Sequence, residues 1–303
     1  MVDAAQPITF LITGGAGQVG LELLAAEWPA HVTLHAPDRS ELDLGDAASL
    51  ARLFETRAYA AVINAGAYTA VDRAESEVGA AFAVNAMGPA QLADATRAAD
   101  IPLIQVSTDY VFSGMGEGEY DEGAAVAPLG VYGASKLAGE LAVLTGNPRS
   151  VVVRTAWVVS QHRANFIKTM LRLAVDRPTL RIVDDQSGCP TSARDIAEAL
   201  KTISLRMIAD VDAPRGVFHF VNAGSTTWAG LAREVFALSQ ARGGPFAEVE
   251  GITTAEYPTP ARRPGNSRLC TRKIERDYEI VPRPWEAAVS EIMDQLSKEE
   301  ATA

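Results

Sequence analysis

Two side chains in the stretch VYGASKLAGE, residues 131–140, could move a proton: Tyr132 and Lys136. The segment is helical in pattern, and a spacing of four residues puts both on one helix face. A phenol is a poor acid near neutrality. A nearby ammonium stabilises its phenolate and lowers its pKa, so that it can trade a proton at working pH. Upstream, STDYVFSG (residues 107–114) supplies Thr108, a hydroxyl that can hydrogen-bond the same carbonyl oxygen that Tyr132 would protonate, with Asp109 beside it. A Tyr and a Lys four apart are, on their own, more often a solvated surface pair. Their weight depends on the elements that position them.

The first of these elements is a glycine turn. Residues 8–12 (ITFLI) read as a buried strand, and TGGAGQVG follows at once. Gly15, Gly17 and Gly20 satisfy G-x-G-x-x-G, and Gly14, Gly17 and Gly20 satisfy G-x-x-G-x-x-G. Either spacing permits a tight turn, a close approach of backbone to a pyrophosphate, and close helix–strand packing. Amides at the helix N-terminus then hold the anion. Asp38 follows the second strand, where a carboxylate accepts from an adenosine ribose hydroxyl. Its neighbour Arg39 could meet a 2′-phosphate instead. Asp38 favours NADH and Arg39 favours NADPH, so the expected cofactor is NADPH or NADH. Lys136 could also reach the nicotinamide ribose. After the third strand, NAGAYT (residues 64–69) places small residues at a strand's carboxyl end, leaving room for a cofactor along Ala67, Tyr68 and Thr69.

Short apolar runs at residues 8–12, 32–36, 60–64, 103–107 and 150–155 alternate with helical patterns at 48–56, 75–99 and 131–144. The expected fold class is α/β: a doubly wound parallel (Rossmann) sheet with a smaller, mostly C-terminal substrate-binding domain. Residues 1–156 are expected to form the dinucleotide-binding domain and 157–303 mainly the substrate domain, with later segments returning to the sheet. In the second half, helices are expected at 165–175, 192–207, 227–239 and 284–298, and strands at 180–183 and 217–221. A Pro- and Arg-rich stretch, YPTPARRPGNSRL, fills 257–269.

The chain has 303 residues, 48% of them apolar, and a formal net charge of −11. That charge repels phosphate backbones and anionic bilayers, so neither nucleic acid nor membrane is an expected partner. The two cysteines, Cys189 and Cys270, have no pairing spacing, and the short apolar run near the N-terminus is neither signal peptide nor membrane span. A soluble cytoplasmic protein is expected. The four histidines do not pair at ligand spacing, so a catalytic metal is not expected.

The segments GGAGQVGLEL, NAGAYTAVDRAESE, STDYVFSG, VYGASKLAGE, RTAWVVS, NFIKTMLRLA, DDQSGCPT and YPTPARRPGNSRL run from residue 14 to residue 269. Together they resemble the extended short-chain dehydrogenase/reductase family, and the later segments are far more specific than the Tyr/Lys spacing. The resemblance implies an NADPH- or NADH-dependent oxidoreductase that takes a nucleotide-sugar substrate. The implied reaction reduces the C4 keto group of dTDP-4-dehydro-β-L-rhamnose to dTDP-β-L-rhamnose. Carried over by position, it puts Gly14, Gly17, Gln18 and Val19 at the pyrophosphate, Asp38 at the ribose, Asp43 and Leu44 near the adenine, and Ala67 to Thr69 along the cofactor. It makes Tyr132 the proton donor and Lys136 its partner. Thr108 and Asp109 meet the substrate, Trp157 packs on the sugar or nucleotide, and Arg263, with Asn266 nearby, meets the diphosphate. It also implies Mg2+ held through glutamates at a contact between two copies, compatible with a homodimer, with Glu22 at the matching position. From the helix pattern alone Glu22 is an exposed glutamate. Two other functions share most of these motifs: a reductase or epimerase of another nucleotide-linked 4-keto sugar, and a non-catalytic dinucleotide-binding regulatory subunit.

Overall fold

The structure is a computed structural model and describes residues 6–302. Its strands of four or more residues are β1 (Ile8–Thr13), β2 (Val32–His35), β3 (Ala61–Asn64), β4 (Leu103–Thr108), β5 (Ser150–Thr155), β6 (Thr179–Val183), β7 (Gly216–His219) and β8 (Glu248–Ile252). Six of them make one sheet in the order β7-β5-β4-β3-β1-β2, every pair parallel. The sequences explain this arrangement. In β3 (AVIN) and β5 (SVVVRT) every residue is buried, as in strands covered on both faces, and β-branched side chains suit that pleated surface. The chain leaves β1 for β2 on one side and resumes with β3 on the other. That reversal opens a crevice at the carboxyl ends of β1 and β3.

The helices are α1 (Gln18–Ala25), α2 (Ala47–Thr56), α3 (Val71–Ala74), α4 (Val78–Phe82), α5 (Gly88–Ala98), α6 (Val131–Gly146), α7 (Phe166–Ala174), α8 (Ala193–Ala209), α9 (Trp228–Ala241), α10 (Arg272–Tyr278) and α11 (Trp285–Thr302). On one sheet face Ile196, Leu200 and Ile203 of α8 pack among Phe10, Ile12, Ile63 and Val153. On the other, Leu92 and Val143 pack among Leu11, Val62 and Val152. A separate apolar cluster joins α7, α9 and α11 to β6 through Ile167, Leu180, Val235 and Ile292. There β6 and β8 form a two-stranded parallel pair. Both α8 and β7 lie beyond residue 156 yet pack on or in the main sheet. No helix among the described residues is long and apolar enough to cross a membrane.

One expected element carries an irregularity. The Ala-rich stretch 75–99 reads as one long helix, and helical backbone runs unbroken from Val78 to Ala98 as α4, a π-helical turn at Ala83–Met87, and α5. Pro89, in the first turn of α5, has no N–H to give the carbonyl of Asn85 four residues back. That carbonyl instead faces α6, where a Cβ on Gly139 would lie 2.1 Å from it. The strand β8 (EVEGI) was not expected at all. It is largely exposed, and its two glutamates and one glycine hide the usual apolar signal.

Candidate active site

The crevice begins at the glycine turn. Gly14 takes φ +69°, and a Cβ there would lie 2.6 Å from the backbone of Gly66. A Cβ on Gly20 would lie 2.1 Å from the carbonyl oxygen of Gly14. The first contact seats the turn against the NAGAYT loop and the second seats α1 against the turn, so only glycine serves at either place. With Gly17 as its N-cap, α1 opens toward a cleft of about 470 Å³ whose walls include Gly14, Gly17, Gln18, Val19, Ala67 and Thr69. The side-chain oxygen of Gln18 is buried with no hydrogen-bond partner among the described residues. A turn that excludes side chains, a helix N-terminus and an orphaned polar atom fit a dinucleotide.

The contacts expected at the adenosine end, and the Tyr68 side chain, lie off this cleft. Asp38 and Arg39 are exposed beyond β2. The hydroxyl and amide of Ser40 hold Asp38 below the usual carboxylate range. Arg39 donates to Asp43 at 3.3 Å, and Asp43 also accepts from the Gly45 amide at 2.9 Å. Leu44 is buried behind Gly66. The phenol of Tyr68 turns away to donate to Glu77 at 2.6 Å, leaving its backbone along the loop.

At the far end of the same cleft stand Thr108, Asp109, Tyr132 and Lys136. The Thr108 hydroxyl accepts from the Tyr110 amide at 3.2 Å, donates to Asp109 at 3.0 Å, and lies within hydrogen-bonding reach of the Tyr132 phenol. Burial, with Asp109 and Tyr110 adding to it, pushes the Tyr132 pKa well above the ordinary phenol value, and the Thr108 contact opposes that rise. The resting phenol is therefore held protonated. The expected lowering by Lys136 is not seen here: the ammonium donates instead to the Val106 carbonyl at 2.7 Å. Burial brings Lys136 down to about 8, against the pull of Glu140. Asp109, also buried, rises to about 6.

Several residues that hold this group in place were missed in the sequence. Gly133 lies one residue after Tyr132, and a Cβ there would sit 2.2 Å from the Tyr110 carbonyl. Its absence lets α6 close on the strand end that carries Thr108. Glu75 accepts from the Val131 amide at 2.8 Å and so caps the helix that carries Tyr132. In the π turn, Asn85 accepts from the Tyr68 amide at 2.8 Å and donates to the Tyr68 carbonyl and to Ser135. It ties the cofactor loop to α6. Beneath Lys136, Glu140 takes a bidentate contact from Arg154, with both side chains buried. Motif spacing reveals none of these. The only legible hint is a polar residue placed where a helix should be apolar.

Beside the cleft lies a second cavity of about 750 Å³, lined by Phe166, Met170 and Trp228 together with Arg177, Arg181 and Arg263. Tyr110 and Trp157 border both spaces. Arg263 donates to the Tyr110 hydroxyl at 3.1 Å and to Asp72 at 2.8 Å. Asn266 is not at the cavity. It is buried, and its amide donates to the Gly116 and Gly118 carbonyls at 2.8 and 2.6 Å, so it braces a loop. Trp157 takes φ +47° and stacks on Trp228 with ring centroids 3.6 Å apart.

Glu22 is buried, not exposed, and desolvation raises its pKa. Its near neighbour is His162, 3.6 Å away. Among the described residues no group of three His, Cys, Asp or Glu could hold a metal ion.

Known proteins share this arrangement along nearly the whole chain. Residues 8–298 match the family model described as RmlD substrate binding domain. A dTDP-4-dehydrorhamnose reductase of Sinorhizobium fredii is 43% identical, over 93% of this chain and 95% of that protein. The reductase of the same name from Aggregatibacter actinomycetemcomitans is 40% identical, over 93% and 97%. Among solved structures, a dTDP-4-dehydrorhamnose reductase of Clostridium acetobutylicum superposes with a TM-score of 0.89 at 34% identity, covering 95% of this chain and 99% of that one. One from Bacillus anthracis, in complex with NADP, gives 0.88 at 30%, covering 96% and 100%. On these matches the chain belongs to the dTDP-4-dehydrorhamnose reductase family, within the extended short-chain dehydrogenases/reductases.

Proposed function

We propose that this protein reduces the C4 keto group of dTDP-4-dehydro-β-L-rhamnose to give dTDP-β-L-rhamnose, using NADPH or NADH, in dTDP-rhamnose biosynthesis. The observation that carries the proposal is the meeting of Tyr132, Thr108 and Lys136 at the end of the cleft that starts at the glycine turn. When bound there, the dinucleotide supplies the hydride. The residues do the rest. The turn from Gly14 and the N-terminus of α1 hold the pyrophosphate. Thr108 orients the substrate carbonyl, and Tyr132 delivers its proton to that oxygen. A donor must carry its proton until the carbonyl arrives, and burial of Tyr132 favours that state. The Lys136 ammonium, once released from the Val106 carbonyl, would offset the negative charge that proton transfer leaves on the phenol oxygen. Arg263, at the wall of the second cavity, is the guanidinium placed for the diphosphate, and Asp72 holds it ready.

The test is direct. Purified protein, NADPH and dTDP-4-dehydrorhamnose should show loss of nicotinamide absorbance. Tyr132→Phe should bind NADPH with the wild-type affinity while turnover falls by about 100-fold or more. Wild-type turnover by this variant would sink the assignment of Tyr132. Oxidation of NADPH with another nucleotide-linked 4-keto sugar, but not with this one, would move the substrate and keep the mechanism.

A further inference from the structure

The Trp157 indole sits at the junction of the two cavities, and the structure shows how it is held there. One face stacks on Trp228, the first residue of α9, at 3.6 Å and 10° between planes. Two rings that close leave no room for a third group between them. The other face meets Gly188. A Cβ built there would lie 2.3 Å from Cε2, 2.6 Å from Nε1 and 2.7 Å from Cζ2 of Trp157, which is above the ring and not beyond its rim. Trp157 is thus sandwiched, and only its edge is free for a ligand. The sandwich is anchored. The Trp228 indole N–H donates to Gln186 at 3.1 Å, and the buried Gln186 donates onward to Thr254 at 3.0 Å. The short strand Ser187–Gly188 is paired on both sides, with Thr226–Thr227 and with Asn266–Ser267. Trp157 itself has the left-handed φ of +47°, which a non-glycine residue adopts at a penalty and keeps only if its surroundings enforce it.

We propose that Trp228 is a positioning residue for the reduction: held by Gln186, it fixes Trp157 edge-on at the passage between the two cavities and so sets where the sugar carbonyl rests beside Tyr132. The proposal rests on the function given above. It assigns Trp228 a role through Trp157, not as a platform for the nucleotide. It also gives Gly188 a purpose, since any side chain there would push the indole off its seat.

Three variants test this, each with steady-state kinetics, dTDP binding by calorimetry and circular dichroism. Stacked indoles couple their transitions, so the wild type should show a paired-sign band that Trp228→Phe abolishes. Trp228→Ala should lower kcat/KM for the sugar nucleotide by about tenfold or more, with part of the loss in kcat, because misplacement by about an ångström is expensive in rate. Trp228→Phe, which keeps a ring against Trp157, should recover activity to within about threefold of wild type. Gly188→Ala, which leaves Trp228 intact, should reproduce the kinetic loss. The dTDP affinity should stay within about twofold of wild type in all three, because the lost contact is with the indole and not with the nucleotide. If dTDP binding weakens as much as kcat/KM, Trp228 is a nucleotide contact and the proposal is overturned. If Trp228→Ala turns over as wild type does, the sandwich has no kinetic role and the proposal again fails, while the proposed function stands. If the wild type does not reduce the sugar at all, the function falls first and this inference with it.

Discussion

At the scale of single residues, the site is a set of titratable groups whose burial sets their protonation. Tyr132 is pushed up and Lys136 down to about 8. The two shifts work together. The phenol stays loaded, and the lysine keeps its charge only below about 8. Activity should therefore fall as pH rises through that value, and a Lys136→Arg protein, charged throughout, should not show that limb. A pH–rate profile of kcat/KM checks this, and an unchanged alkaline limb in the Arg variant would refute it. The same shift has a consequence for stability. The folded state gives up the Lys136 proton at a pKa below the unfolded value of 10.5, so unfolded chains bind more protons between about 8 and 10.5. Fold stability contributed by this group is lowest below that window and recovers as pH rises through it. Replacement of Lys136 by Met should thus raise the thermal midpoint at pH 7 while abolishing most turnover. The Val106 carbonyl it leaves still accepts from Gln105 at 2.8 Å. A Lys136→Met protein that melts earlier than wild type would contradict this account. That Tyr132 and Thr108 share one cleft was legible from residue types in order. The direction of the Tyr132 shift was not, because burial cannot be read from a four-residue spacing.

At the scale of elements, the helix α6 matters most, and two glycines let it close on its neighbours. Gly133 admits the Tyr110 carbonyl and Gly139 admits the Asn85 carbonyl. They act on different ends of the site, and their variants should separate. Gly133→Ala should cost about 1–3 kcal/mol of stability and lower kcat, since α6 must back away from Thr108. Gly139→Ala should be similarly destabilised but raise KM for NADPH, since it displaces Asn85 and the loop that Asn85 holds. Thermal melts and a kcat/KM split decide the matter, and identical kinetic effects from both variants would show that α6 moves as one body. Strand and helix positions were mostly legible because parallel strands such as β5 carry an apolar run, here Val151 to Val153, at their centre. The π turn inside the 78–98 helix was not. Pro89, which withholds an N–H from the Asn85 carbonyl, is in the sequence, but the α6 glycine that this carbonyl faces is a property of the packed neighbour. The misplacement of Asn266 has a similar origin. Its position in a loop rich in Arg suggests an anion, but its amide is consumed by the Gly116 and Gly118 carbonyls.

For the whole molecule, the cofactor cleft and the second cavity meet at Tyr110 and Trp157, and both depend on segments far apart in the chain. The Arg263–Asp72 contact joins the 257–269 loop to α3 across that junction. The main sheet also draws on the second half of the chain: β7 closes its edge beside β5, and α8 covers one face. During synthesis this has a cost in time. The strand β5 ends at Thr155 and its partner begins at Gly216, about 60 residues later, which a ribosome spans in several seconds. For that interval a wholly buried strand waits with one edge unpaired, an invitation to a neighbouring nascent chain. A chain ended after residue 215 makes the waiting state permanent. It should be recovered mainly as aggregate, and a soluble monomer that binds NADPH as the full chain does would refute this. The last strand of the sheet is thus a matter of timing as well as shape, and chaperone demand during translation should be greatest between these two points.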